Sequence, residues 1–329
     1  MSPEKIGPIE IITGENQSKV PFSTSLLVNG KDGSTLIDCG GGKRAFDYLK
    51  HKKITDIYLT HYHLDHIWGA YLFPGARKTI NPHDFRKLSD AHELANASGI
   101  YALYGKEKAE RWIKKQMDKP EEDELKLRWK PVMNIADGCF EYEKPINVAG
   151  TTMIILHTPG HTEGFCCPYF PEYGVLLVGD FDLTSFGPWY MDADSDIDDF
   201  LASANRTLET DAKYFVTAHH KGSFSRKEYK ERLKQYVGKV YEREEKTKTA
   251  VQQGVPPKDI VYQEIFYLIK NHREHRRYLD SEVLGIAKHL KRLIRQRYDF
   301  ENYFADFVSY FNLHPEFLDY RSEPSCKSK

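Results

Sequence analysis

Four short apolar runs, ITDIYLT, TTMIILH, GVLLVGD and KYFVTAH, are rich in β-branched and aromatic residues, and a histidine or aspartate stands at or just after the end of each. Strands of this kind deliver polar groups along one edge of a sheet, where a loop-borne site can be assembled. Ahead of them, STSLLV and STLID flank the turn-forming NGKDG, which predicts a hairpin. Helical patterns are interspersed with the strands, at residues 44–52 and in IDDFLASANRTL, so the order predicts an α/β fold. From about residue 225 the strands stop. YKERLKQYVGKVYEREEKTKTAV, IVYQEIFYLIKNHREHRRYL and SEVLGIAKHLKRLIRQRY then read as helices.

The densest chemistry follows ITDIYL, where THYHLDHIWG brings His61, His63, Asp65 and His66 within six residues. His61 and His63 are two apart, so on an extended chain or tight loop both can face one point. Asp65 and His66 can then turn to a second point. Neutral imidazoles with a carboxylate suit zinc, iron or manganese, and the lack of cysteine in the cluster argues against a structural thiolate site. Later runs add candidates. HTPGHTEG holds His157 and His161 around a Pro-Gly turn, VGDFD holds Asp180, and VTAHHKG holds His219 and His220.

A chain of 329 residues allows one substantial domain with an appendage. The expected division is residues 1–225, with a helical insertion at about 84–130, followed by a helical region at 226–329. No apolar run approaches the length of a membrane span, and the N-terminus lacks the pattern of a secretory signal, so the expected location is cytoplasmic. The five cysteines are odd in number and lack CxxC spacing, which reads as free thiols in a reducing compartment. A formal net charge of −1 hides an acidic body followed by a basic segment, from about 221 to 298.

His61, His63, Asp65 and His66 match the HxHxDH signature of the metallo-β-lactamase superfamily, and the later candidates follow in that family's order. The resemblance covers roughly residues 20–225. It implies an αβ/βα sandwich and two divalent metal ions, most simply Zn2+, with Fe or Mn as alternatives. The implied ligands are His61, His63 and His161 for one ion and Asp65, His66 and His219 for the other, with Asp180 bridging. His219 is preferred to His220 because VTAH fits the family's apolar-x-x-His ending. Asp38 in LIDCGG resembles the family's earliest motif, a carboxylate behind the ligands, and His157 is read as a supporting or structural residue. The implied chemistry is hydrolysis by metal-activated water, with Asp65 orienting that water and passing its proton to the leaving group.

Substrate is narrowed by departures from the family's branches. Asp180 stands where zinc β-lactamases usually carry cysteine, and only 38 residues separate it from His219, too few for the large inserted domain of the superfamily's nucleases. The C-terminal helices resemble a cap over the active site, as in acyl thioester hydrolases. The expected function is therefore a binuclear hydrolase of an ester or thioester, acting on a small anionic or acyl substrate. The alternatives are a metal-dependent endoribonuclease and a ligand-binding or signalling protein with a regulatory metal site. Trp189, Tyr190 and His220 are candidates for the substrate pocket. Tyr262, Phe266, Tyr267, Tyr303, Phe304, Phe307, Tyr310 and Phe311 supply either a slot or ordinary core. Lys288, Lys291, Arg292 and Arg295 read as a solvated helix face or as a contact for phosphate. Asp192, Asp194, Asp196, Asp198 and Asp199 fit a calcium loop poorly and are expected to cap the helix that follows.

Overall fold

The computed structural model describes residues 3–118, 133–220, 222–267 and 278–326. A first sheet runs β1 (Glu4–Ile6), β2 (Ile9–Ile12), β3 (Ser25–Val28), β4 (Ser34–Ile37), β5 (Ile54–Leu59), β6 (Arg77–Ile80) and β7 (Gly138–Cys139), each strand beside the next. Pairing is antiparallel up to β4, as the NGKDG hairpin requires, and parallel from β4 to β7. A second sheet runs β8 (Pro145–Val148), β9 (Thr151–His157), β10 (Cys166–Phe170), β11 (Val175–Gly179), β12 (Tyr214–Thr217) and β13 (Ser223–Ser225), antiparallel except between β11 and β12.

Side-chain alternation explains the layering. Leu26, Val28 and Ile37 of the first sheet meet Met153, Ile155, Val175, Leu177 and Val216 of the second in a shared core. Their neighbours Leu27 and Leu36 point the other way, to Ala45 and Leu49 of helix α1 (Gly42–Leu49). Leu176, Val178 and Phe215 likewise turn outward to Phe200 and Ala204 of α5 (Ile197–Thr207), and to Tyr229, Leu233 and Tyr236 of α6 (Arg226–Gln252). Both faces of each sheet are thus buried, and a one-residue slip would exchange them. The result is the αβ/βα sandwich that the resemblance implies.

Between β5 and β6 lies the short helix α2 (Leu64–Ile67), and the expected insertion contains α3 (Ala91–Ala97) and α4 (Ile100–Met117). Residues 119–130 of that insertion lie outside the described residues. The C-terminal region continues with α7 (Pro257–Ile260), α8 (Leu279–Arg295) and α9 (Glu301–Phe311). The helix expected over IVYQEIFYLIKNHREHRRYL is not formed through residues 261–267, which make turns, and 268–277 lie outside the described residues. The buried carboxylate of Glu282 accepts the amides of Phe266 and Tyr267 at 3.0 and 2.7 Å, replacing helical bonds there.

Two further expectations are corrected. Cys139 and Cys326 form a disulfide with Cα atoms 5.8 Å apart, while Cys39, Cys166 and Cys167 are free and buried. Partners 187 residues apart carry no spacing signal that a sequence could show. The basic residues of α8 form a solvated face only in part, with Arg295 about half exposed. Lys288 is buried and donates to the carbonyl of Ser195 at 2.7 Å, Arg292 pairs with Asp198 and Glu244, Arg295 pairs with Asp198, and Lys291 pairs with Asp319. The aromatic stripe is mostly core, with Phe307 fully buried and Tyr310 left 58% exposed.

Candidate metal centre and substrate cavity

The THYHLDHIWG stretch changes conformation at a useful place. β5 ends at Leu59, and His63, extended at φ −62° and ψ 140°, precedes the first turn of α2. His61 and His63 therefore lie on the strand-like part, while Asp65 and His66 lie on the helical turn. The turn packs tightly on the end of β4. A Cβ at Gly40 would fall 1.4 Å from the Asp65 carbonyl oxygen, so the approach requires glycine.

Five imidazoles converge, each oriented by a protein acceptor on its outer side. Asp38 Oδ2 lies 2.7 Å from His66 Nδ1 and also accepts the Thr60 hydroxyl at 2.8 Å. That hydroxyl is left to accept from His61 Nδ1, 3.0 Å away. His161 Nδ1 donates to the Trp189 carbonyl at 3.0 Å, and His219 Nδ1 to the carbonyls of Ser18 and Phe22 at 3.0 and 2.9 Å. His63 is reversed, because its Nε2 donates to Asp192 Oδ2 at 2.9 Å and its Nδ1 faces inward. Carbonyls and carboxylates, and at His61 a hydroxyl whose own proton is given to Asp38, thus fix which nitrogen carries the proton and leave the other aimed at the centre.

Asp180 sits at that centre. Its Oδ2 is 3.6, 3.1 and 3.8 Å from Nε2 of His61, His66 and His161, and its Oδ1 is 3.1 Å from His219 Nε2. Asp65 Oδ2 approaches His219 at 3.5 Å, and His63 Nδ1 lies 3.0 Å from His161 Nε2. Among the described residues His61 Nε2, His66 Nε2, His219 Nε2 and Asp180 Oδ2 are buried without a hydrogen-bond partner, which is costly unless a cation completes them. The donors fall into groups of metal-holding size: His61, His63 and His161; His61, His66 and Asp180; Asp65, His66 and His219; Asp180, Asp182 and His219. This donor set fits two divalent ions sharing Asp180.

The electrostatics of the metal-free chain agree. Burial pushes His161 down to about 4 and lowers His61 as well. At His219 burial works the same way, but Asp182, Asp180 and Asp65 outweigh it and push the imidazole up to about 10. His66 is raised because Asp180 and Asp38 likewise override burial. Burial would raise Asp180, yet His66, His161 and His219 hold it well below the usual carboxylate range. Protons thus stand where cations would.

His219, rather than His220, faces Asp180; His220 has φ +62°, is exposed and lines the adjoining cavity. His157 lies apart, stacked on Tyr142 at 4.3 Å and donating to the Glu163 carbonyl at 2.9 Å. Tyr190 is a correction: it is fully buried, bonded to His289 and Arg243, and does not line the cavity. Trp189 does line it. Sequence reasoning missed Asp182, held up at about 7 chiefly by burial, and Asp192, which it read as part of a helix cap. Of that aspartate run Asp196 caps α5, accepting the amides of Asp198 and Asp199, whereas Asp194 is paired with the buried Lys87 at 2.7 Å. The cavity beside the centre measures about 900 Å³ and reaches His63, Asp65, His161, Asp180 and His219.

The sequence matches the model of the metallo-beta-lactamase superfamily over residues 19–83 and 88–219. An uncharacterized protein of Aquifex aeolicus (strain VF5) is 27% identical over 170 residues, a match spanning 49% of this chain and 65% of the relative. A metallo-beta-lactamase family protein from Thermus thermophilus superposes with a TM-score of 0.58 at 22% identity, over 87% of this chain and 93% of that one. A beta-lactamase domain protein from Burkholderia ambifaria gives 0.59 at 15% identity, over 89% and 87%. At such identities the likeness speaks for the fold alone. Sandwich and donor cluster together place a candidate metal site at one edge between the two sheets. With more than half of its length matched, the chain belongs to the metallo-beta-lactamase superfamily.

Proposed function

We propose that the protein is a binuclear metal-dependent hydrolase that cleaves an ester or thioester carbonyl. The observation that carries this reading is the convergence of four imidazole nitrogens on Asp180, with His63 against His161 beside them, next to an open cavity. His61, His63 and His161 would hold one ion and Asp65, His66 and His219 the other, with Asp180 shared; zinc is the simplest occupant, and iron or manganese accepts the same donors. When bound, such ions acidify a water and polarise the oxygen of the bond under attack. Asp65, whose carboxylate lines the cavity, orients the attacking water and carries its proton to the leaving group. A cysteine nucleophile is not needed, and Cys39, Cys166 and Cys167 are buried.

The test is elemental analysis of the purified protein joined to a turnover screen of acyl-CoA, lactoylglutathione and phosphodiester compounds. About two metal ions per chain with thioester or ester turnover is the expected result. Asp65→Ala should lose at least a hundredfold in kcat, and full activity at full metal content in that variant would remove Asp65 from its role. Cleavage of single-stranded RNA, steeply salt-dependent and abolished by His61→Ala, would replace the thioester reading with the endoribonuclease one. Against that alternative, no lysine or arginine lines the cavity among the described residues. Bound metal without turnover of any compound would favour a ligand-binding role.

A further inference from the structure

We infer that the cavity beside the metal centre is a slot for an extended, uncharged acyl chain, so that the substrate is a medium- to long-chain acyl ester or thioester. This rests on the hydrolase reading and names its substrate class. The cavity's volume of about 900 Å³ is far more than an acetyl or lactoyl group fills. Pockets of roughly 300–1,000 Å³ bury ligands of drug size. Leu64, Ile67, Leu88 and Leu94 give it an aliphatic lining, and Phe186 and Tyr267 an aromatic one.

The aromatic lining is already ordered. Phe186 stacks on Tyr267 at 4.7 Å, and Tyr267 on Tyr278 at 4.3 Å. Arg243 packs 4.7 Å over the Phe186 ring, but its guanidinium is committed to the carbonyls of Phe186 and Pro188. Its charge therefore supports the lining without being offered to a substrate anion. Thr184 and Ser185 add hydroxyls to the lining on the Phe186 side, whereas the hydroxyl on the aliphatic side is already bonded. The Ser98 hydroxyl lines the cavity yet donates to the Leu94 carbonyl at 2.8 Å. The acidic side chains in the lining, Asp65, Asp180, Asp182 and Asp192, stand beside the imidazoles of the candidate metal centre rather than along the rest of the cavity. No lysine or arginine stands among the described lining residues, so beyond the imidazoles of the centre an anionic group on the acyl chain would meet no cationic side chain, whereas a methylene chain would be desolvated along its length.

The experiment uses the full zinc-loaded chain and a series of N-acetylcysteamine thioesters from acetyl to dodecanoyl, whose leaving group is uncharged. Each added methylene should raise kcat/KM about two- to fourfold until the cavity is filled. Ser98→Phe, which places a ring in the cavity, should lower the ratio of decanoyl to acetyl kcat/KM by about tenfold or more, and Phe186→Ala should lower it through the other lining. Decanoate binding by calorimetry gives a readout independent of turnover, and Ser98→Phe should weaken it by a similar factor. A flat or acetyl-favouring series overturns the inference, as does decanoate that fails to bind. Decanoate that binds and is weakened by Ser98→Phe, in a protein that hydrolyses no thioester, would leave the slot standing and remove the hydrolase reading instead.

Discussion

Asp38 and Asp192 act on the same centre from distant parts of the sequence. Asp38 holds His66 through Nδ1, and Asp192 holds His63 through Nε2, 129 residues away. Each fixes a ring and leaves one nitrogen facing inward, so each is a positioning residue for a metal ligand. Loss of such partners typically costs 10–100-fold in metal affinity. Asp192→Ala should therefore weaken zinc binding by roughly that factor in a chelator competition, and Asp192→Asn, which keeps an acceptor, should recover part of it. Equal affinity in all three proteins would make Asp192 a bystander. The two were unequally legible for a physical reason. Asp38 follows an apolar strand in a recognisable motif, whereas Asp192 stands in a run of aspartates of which one, Asp196, does cap a helix. Local spacing cannot show that a loop folds one member of that run back onto a histidine.

At the scale of elements, β5, β9, β11 and β12 were readable because apolar runs of strand length have one physical solution when both faces are covered. β10 was not. It lies between β9 and β11 and contains Pro168, which lacks the amide that a central strand normally uses. The C-terminal helices were visible by their period, but the contact joining them was not. Glu244 of α6 accepts from Arg292 of α8, faces His289, and is reached by Gln296 at 3.3 Å. Burial would raise the Glu244 carboxyl, but His289 and Arg292 override it and hold it at about 2, against an ordinary 4.5. A carboxylate depressed on folding contributes stability above its unfolded pKa and loses it as pH falls toward the folded one. Glu244→Gln should thus lower Tm most above pH 4.5, and the gap from the parent should close between pH 4.5 and about 2. A gap that stays constant across that range in calorimetric scans would show that the charge of Glu244 contributes nothing to the α6–α8 contact.

For the whole molecule, two cross-links join parts that the chain alone leaves distant. The Cys139–Cys326 disulfide ties the C-terminal segment to β7, and Ser322 of that segment donates its amide to Glu163 and its hydroxyl to the His83 carbonyl. Closing a loop of 187 residues is worth up to about 5 kcal/mol in the chain-entropy account. Cys326→Ser should accordingly lower Tm by several degrees and abolish its sensitivity to reductant; a Tm unmoved by the substitution would show that the other tail contacts suffice. The candidate metal centre, once loaded, would be the second cross-link. His61, His63, Asp65 and His66 follow β5 of the first sheet, while His161, Asp180 and His219 follow β9, β11 and β12 of the second. Ions held between them join the sheets at one edge, so binding is coupled to the stability of the whole sandwich. With free metal at 1,000 times Kd the stabilisation is about 4 kcal/mol, and dialysis against a chelator should lower Tm by several degrees, reversibly on adding zinc. The protons on His66 and His219 must leave as the ions enter. Apparent affinity should therefore rise from pH 6 to 8, and calorimetry in buffers of different ionisation enthalpy should register proton release. Metal binding that releases no protons and leaves Tm unchanged would place the ions somewhere other than between the two sheets.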